Sequence, residues 1–424
     1  MFKTLKNAWD IPELRKKLIF TILVMLAFRI ASTIPVPFID AAVLGEYYDN
    51  VLSTTILGLY NAMSGSAFSN ATILALGIQP YINASIIVQL LTIAIPALER
   101  LSKEGGEEGK KTINKITRYA TVGLGLLMGW AYYMMLANYQ SSGYQIMTET
   151  GILPAIVIIL TFTAGSAVVM WLGEQITEHG IGNGISMILF ANIISRLPAM
   201  ANTTLSMGWW AIAVILGMAA LVLLIVYVND AERRIPVQYA KRVVGRKVYG
   251  GQSTDLPIKV SMTGVMPVIF AQSIASLPAT VCAFIPNGTS SWVYKNLFDS
   301  TTWIYALSYF LLIFFFGWFY ASIQYDPVEI SNNLKKNGGF IPGFRPGKPT
   351  ADFIKKVINK IVIFGSIYLG IVALLPIVAG NLFPSVKELA IGGTSIIIVV
   401  SVALETVKAL EAQMLMRHYK GFLD

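Results

Sequence analysis

Charge is what this chain has least of. Of 424 residues only 13% are Asp, Glu, Lys or Arg, about half the ~25% usual in soluble proteins. A soluble chain of this length needs far more polar surface, even as two or three domains. Cysteine occurs once, as Cys282 inside an apolar stretch, which excludes an intrachain disulfide and a thiolate metal centre. The two histidines, His179 and His418, lie far apart, so a His-based zinc site is not expected. Nucleotide motifs are also missing. Gly105–Thr112 (GGEEGKKT) approaches a Walker loop, but Glu104 stands where its first glycine must be. Gly180, Gly182 and Gly184 follow no strand and fail the dinucleotide spacing. The apolar segments hold no paired acids and no Ser, His or Glu constellation, so neither catalysis nor a cofactor is expected.

Hydrophobicity is abundant, at 55% of residues, which rules out disorder and points to a polytopic membrane protein. Crossing ~30 Å of hydrocarbon takes ~20 mostly apolar residues. Ten segments qualify: Leu18–Ile34, Thr72–Leu98, Tyr119–Ala137, Ile152–Leu172, Gly184–Leu197, Trp209–Val228, Gly264–Ile285, Trp303–Ile323, Ile361–Ala379 and Ala390–Leu404. The first resembles a secretory leader's apolar run. It lacks a small-residue cleavage site and is interrupted by Arg29, so it reads as a retained span. The fifth is short and carries Asn192, Ser195 and Arg196.

The net charge of +9 is one-sided: 28 of the 32 Lys and Arg fall before span one, between spans two and three, six and seven, eight and nine, and after span ten. By the positive-inside rule both termini are cytoplasmic. The connection between spans four and five breaks the trend, with Glu174, Glu178 and no basic residue. Tyr47, Tyr48, Tyr139, Tyr144, Trp209, Trp210, Trp292 and Trp303 near the opposite face fit an interfacial belt. Ten spans divide into residues 1–200 and 201–424, joined by a short linker over Pro198–Gly208. Because five is odd, a second half built like the first sits inverted in the membrane, as in many transport proteins.

Four features invite a functional reading. Ile56–Asn70 (ILGLYNAMSGSAFSN) is too short to cross and rich in Gly and Ser. It suits either an outer loop or a half-helix folded into the protein, where shielding is required. Next, Ile78, Ile82 and Ile86 share one helical face; they face lipid or core, or form a constriction that gates by excluding water. Third, Trp171–Ser186 holds a glycine-rich turn into span five. Last, the connections 229–262 and 324–360 are longer than joining helices requires. Their fourteen basic residues suit anionic lipid, ribosomal RNA or an acidic protein face.

At these features the sequence resembles the SecY family of protein-conducting channels. The blocks are GLYNAMSGSAFSNATILALGIQPYINASIIVQLL, WLGEQITEHGIGNGIS, RRIPVQYAKR with QSTDLPIKV, NNLKKNGGFIPGFRPG and GGTSIIIVV, in order along nearly the whole chain. The resemblance implies an all-α fold of ten spans in two inverted five-helix halves, passing unfolded secretory chains across the bacterial cytoplasmic (inner) membrane. It implies a pore ring of Ile78, Ile82, Ile185, Leu189, Ile269 and Ile398, with Leu189 where isoleucine is common in the family. It places a plug at residues 60–70, including Tyr60, Asn61, Ser64, Gly65, Ser66, Phe68 and Asn70; the small residues suit an element that packs lightly. Spans two and three facing seven and eight form a lateral gate, with Asn83 and Gln89 as gate-facing polar groups.

The same resemblance implies docking of the SecA motor and of the ribosome on Arg233, Arg234, Lys241, Arg242, Arg246, Lys335, Lys336 and Arg345. Energy then arrives from a partner, which accounts for the missing nucleotide motif. SecE and SecG are the implied companion subunits and YidC a further partner, with signal sequences, preproteins and membrane lipid as the other contacts. The rival reading is an ion-coupled small-solute transporter with inverted repeats. It needs ionisable midplane ligands, and the spans are nearly free of Asp and Glu.

Overall fold

The computed structural model describes residues 2–48, 61, 63–141, 145–239, 242–244, 247–249, 253–284, 302–382 and 387–420. Every one of the ten expected spans falls on a helix. The helices are α1 (Phe2–Asp10), α2 (Pro12–Ala31), α3 (Ala41–Tyr47), α4 (Gln79–Ala94), α5 (Pro96–Glu104), α6 (Gly106–Ser141), α7 (Ile152–His179) and α8 (Gly184–Ser206). They continue as α9 (Trp210–Asp230), α10 (Met266–Phe284), α11 (Trp303–Gln324), α12 (Pro327–Lys336), α13 (Lys348–Leu382) and α14 (Lys387–Lys420). Among the described residues six helices are long and apolar enough to cross a membrane alone, and the bent pair α4–α5 makes a seventh.

Three boundaries differ from the sequence expectation. Span two does not begin at Thr72: residues 72–78 run as turns with Gly77 at φ +54°, and the helix starts at Gln79 with Pro80 in its first turn. It also ends early. Pro96 has no N–H to continue the ladder and its ring excludes the helical conformation for the residue before it. Ile95 is therefore extended and the chain turns by 105° into α5. Finally, α8 runs through Pro198 to Ser206, so most of the linker expected over Pro198–Gly208 is helical. The glycine-rich turn before α8 is capped by Asn183, whose side chain accepts from the Ile185 and Ser186 N–H groups.

The helices pack in two groups of five. In the first, α4, α6, α7 and α8 pack in succession and α2 lies on α7 and α8; in the second, α10 and α13 flank α11, and α14 joins α13 to α9. The groups meet along two seams, α8 against α14 and α9, and α10 against α4 and α6. The acidic exception between spans four and five has a structural reason. Glu174 lies on α7 and accepts from Arg118 Nε of α6 at 2.8 Å, so its countercharge comes from the neighbouring basic connection. Trp209, Trp210 and Trp303 are exposed, as an interfacial belt requires. Tyr47 and Tyr48 instead are buried in an apolar cluster with Val36, Phe68 and Tyr132. Tyr144, Trp292 and the Tyr139 side chain lie outside the described residues.

The long basic connections are not plain loops. The first forms β1 (Glu232–Tyr239), β2 (Arg242–Val244), β3 (Lys247–Tyr249) and β4 (Ser253–Lys259); the second adds β5 (Gly339–Phe340). β1 pairs antiparallel with β4, Glu232 opposite Lys259, and on its other edge with β5, Gln238 opposite Phe340. One sheet therefore joins both connections. Ile235 and Val237 alternate inward and cover a core with Ile258, Ile341, Ile354 and Ile358.

Candidate functional site

The largest apolar cluster sits where the two groups of helices meet. Ile78 caps α4 and Ile82 follows one turn later; Leu189 comes from α8, Ile269 from α10 and Ile398 from α14. All five are buried, and Ile185 packs against them half-buried. Thus four helices from both groups bring the six expected ring residues into one continuous apolar cluster.

Most of the described residues of the expected plug segment, 61 and 63–70, are built into the protein. Asn61, Met63, Ser64, Gly65, Ala67, Phe68 and Ser69 are buried, Ser66 is half-buried and Asn70 is exposed. Only the opening residues of the described segment are helical; Gly65–Asn70 turns, with Gly65 at φ +65° and Ser66 at +70°. Tyr60 lies outside the described residues. The segment is organised internally: Asn61 Oδ1 accepts from Ser69 N at 2.9 Å, and Ser64 Oγ donates to Asn61 O and accepts from Phe68 N.

Four helices hold this segment. Arg29 Nη1 of α2 donates to Gly65 O at 3.0 Å, and Asn192 Nδ2 of α8 to Met63 O at 2.9 Å. Tyr132 Oη of α6 donates to Phe68 O at 2.6 Å, and Gln79 Nε2 of α4 to Met63 Sδ at 3.0 Å. A Cβ on Gly65 would stand 3.0 Å from both Arg29 Nη1 and Asn192 Oδ1. At Gly65 the missing side chain thus permits close packing. Arg29 and Asn192 stood out in the sequence as polar interruptions of spans, and an intramembrane cation is by default a functional group. Their target was not readable there.

Of the expected gate groups, Asn83 is buried on α4; its Nδ2 reaches Met128 Sδ of α6 at 3.9 Å and its Oδ1 has no partner among the described residues. Gln89 Nε2 donates to Ser85 Oγ of its own helix, which is the ordinary helical alternative. The polar contact across the α4–α10 seam is a different pair: Ser273 Oγ donates to Gln79 Oε1 at 3.1 Å. The amide of Gln272, the residue before Ser273 on α10, is buried and has no partner among the described residues.

The basic groups stand apart on the sheet platform. Arg233, Arg234, Lys335, Lys336 and Arg345 are all exposed. Arg234 pairs with Glu232 at 2.8 Å, and that carboxylate raises its guanidinium pKa above the usual value. Arg345 sits in a turn fixed by its neighbours: its carbonyl accepts from Thr350 Oγ1 at 2.8 Å, Ser331 Oγ donates to Gly347 O at 2.9 Å, and Phe344 stacks on Phe353. These contacts use backbone atoms and neighbouring side chains, and Arg345 itself is exposed. Arg242 is described as part of β2 without its side chain, and Lys241 and Arg246 lie outside the described residues.

Comparison with known proteins gives a consistent result. The sequence model of the SecY family matches residues 72–407. A curated relative, "Protein translocase subunit SecY" of Streptomyces galbus, is 44% identical over 100% of both chains. A solved protein-conducting channel matches with a TM-score of 0.67 at 19% identity, covering 97% of each chain. A second, Sec61 in the canine ribosome-channel complex from the endoplasmic reticulum, matches with a TM-score of 0.63 at 17% identity, again over 97% of each chain.

Proposed function

The chain belongs to the SecY family, and from that premise we propose that it is the central protein-conducting channel of a bacterial Sec translocase. The observation that carries the reading is the buried segment 61–70, held beside an apolar cluster that spans both groups of helices. Unfolded secretory chains pass through a ring of Ile78, Ile82, Ile185, Leu189, Ile269 and Ile398. An aliphatic collar bars ions yet offers no hydrogen bonds that a sliding peptide must break. Residues 60–70 plug the outer funnel at rest. Membrane helices leave sideways through a lateral gate in which α4 and α6 face α10 and α11, with Asn83 and Gln89 as gate groups.

Residues 1–200 and 201–424 form the two inverted halves. The protein is multi-pass in the inner membrane with both termini cytoplasmic, as the one-sided +9 requires. It is a channel subunit and no catalyst. The exposed cations from Arg233 to Arg345, with Lys241, Arg242 and Arg246, receive the SecA motor and ribosomal RNA. SecE, SecG and YidC complete the assembly. Coupled solute transport is not favoured, because the ten apolar segments are nearly free of the Asp and Glu that it needs near the midplane.

The test is reconstitution. Proteoliposomes holding this chain with SecE should import a secretory precursor into a protease-protected form when SecA and ATP are added. Equal protection without the chain would reject the reading.

A further inference from the structure

The Gln79 side chain is 3% exposed and touches both closures of the channel at once. Its Nε2 reaches Met63 Sδ in the plug segment at 3.0 Å, while its Oε1 accepts from Ser273 Oγ across the α4–α10 seam at 3.1 Å. The orientation follows from chemistry. A thioether sulfur only accepts, whereas a serine hydroxyl can donate or accept, so the amide nitrogen must face Met63 and the oxygen Ser273. The remaining anchors of the segment, Arg29, Asn192 and Tyr132, lie on α2, α8 and α6. Gln79 also bonds Ser273 of α10.

We propose that Gln79 is a relay that couples the seam to the plug, an inference that rests on the plug and gate readings above. With α10 in place, Ser273 fixes the rotamer of the Gln79 amide and so aims its nitrogen at Met63. When a signal sequence parts α4 from α10, the amide loses that partner. It then turns toward whatever donor or water enters the seam, and the plug loses one of its four side-chain holds. Gln272 on α10 and Asn83 on α4 each bury polar atoms that have no partner among the described residues. Buried polar groups without partners are destabilising until water or a ligand satisfies them. A small polar step at the seam thus lowers the barrier to plug departure without any direct contact between α10 and the plug bond it releases.

The test reads the plug while perturbing the seam. In the full complex, with Cys282→Ser, Ala67→Cys supplies a buried plug thiol, and a membrane-impermeant maleimide measures its exposure. Ser273→Ala should speed labelling about three- to tenfold, the range of one side-chain hydrogen bond. Gln79→Leu should do the same, and adding Ser273→Ala to Gln79→Leu should add nothing further. Independent, multiplicative effects in the double variant would overturn the relay, as would unchanged labelling in Ser273→Ala. Ile87→Leu, on the same helix at 40% exposure, should leave labelling unchanged and controls for disturbance of α4. Deleting residues 61–70 separates the two layers: a higher ion leak after deletion with no effect of Ser273→Ala rejects the relay alone, and an unchanged leak after deletion rejects the plug reading and the relay with it.

Discussion

Replacing Ile82 by asparagine tests the apolar seal at one atom group. Ile82 is 3% exposed within the cluster shared by α4, α8, α10 and α14. Removing its side chain from that cluster forfeits about 2–3 kcal/mol of apolar burial. Enclosing a carboxamide with no partner costs a further ~1–3 kcal/mol. Both penalties fall on the dry, closed state; once the ring is wet the amide is hydrated and the isoleucine gives no benefit. With 1.4 kcal/mol per factor of ten, the closed-to-conducting ratio should drop by about a hundredfold or more. Single-channel recording in planar bilayers without precursor reads this as frequent openings. Ile87→Asn is the matched control, because Ile87 lies on the same helix at 40% exposure. It should lower yield in lipid and leave conductance alone. Silent Ile82→Asn channels, or equal leak from both variants, would refute the seal.

Three further outcomes are expected. Arg345→Glu reverses an exposed cation on a turn whose own bonds use backbone atoms and Phe344, so SecA-driven import should fall at least tenfold while the melting temperature holds; full import would remove Arg345 from the docking face. Deleting residues 61–70 should raise ion leak severalfold in planar bilayers, and unchanged conductance would show that they seal nothing. At Gly184 a Cβ would overlap the Gly173 carbonyl of α7, so Gly184→Ala should cost about 1–3 kcal/mol by overpacking. Gly217→Ala on α9 meets nothing within 4 Å and should be neutral or slightly stabilising in a thermal shift assay.

The ten spans were legible because lipid imposes a length and a polarity that composition alone reveals, and each lands on a helix. The break before Pro96 has an equally local cause in the proline ring, yet the expected span ran through it to Leu98. What escaped depended on distant partners. The strand alternation in β1, with Ile235 and Val237 inward, was present in the sequence. Its union with β5 pairs Gln238 with Phe340, a register no local signal encodes. The ring residues were named by family resemblance; the spacing of Ile78, Ile82 and Ile86 alone favoured a lipid-facing or core reading over a constriction. Arg29 and Asn192 announced themselves as polar groups in apolar helices, yet Gly65 and Met63 as their targets came only from the fold. Gln79 was not singled out at all, because an amide beside a proline at a helix start looks like ordinary capping chemistry.

The central claim is that a secretory chain threads the apolar ring, and disulfide trapping reads it directly. With Cys282 replaced by serine, Ile82→Cys and Ile398→Cys channels are each loaded with a precursor arrested in transit and carrying one cysteine within the membrane-spanning stretch. Mild oxidation should link the precursor to both positions and leave Ile87→Cys unlinked. Absence of links at both ring positions, with the precursor demonstrably arrested, would contradict the account.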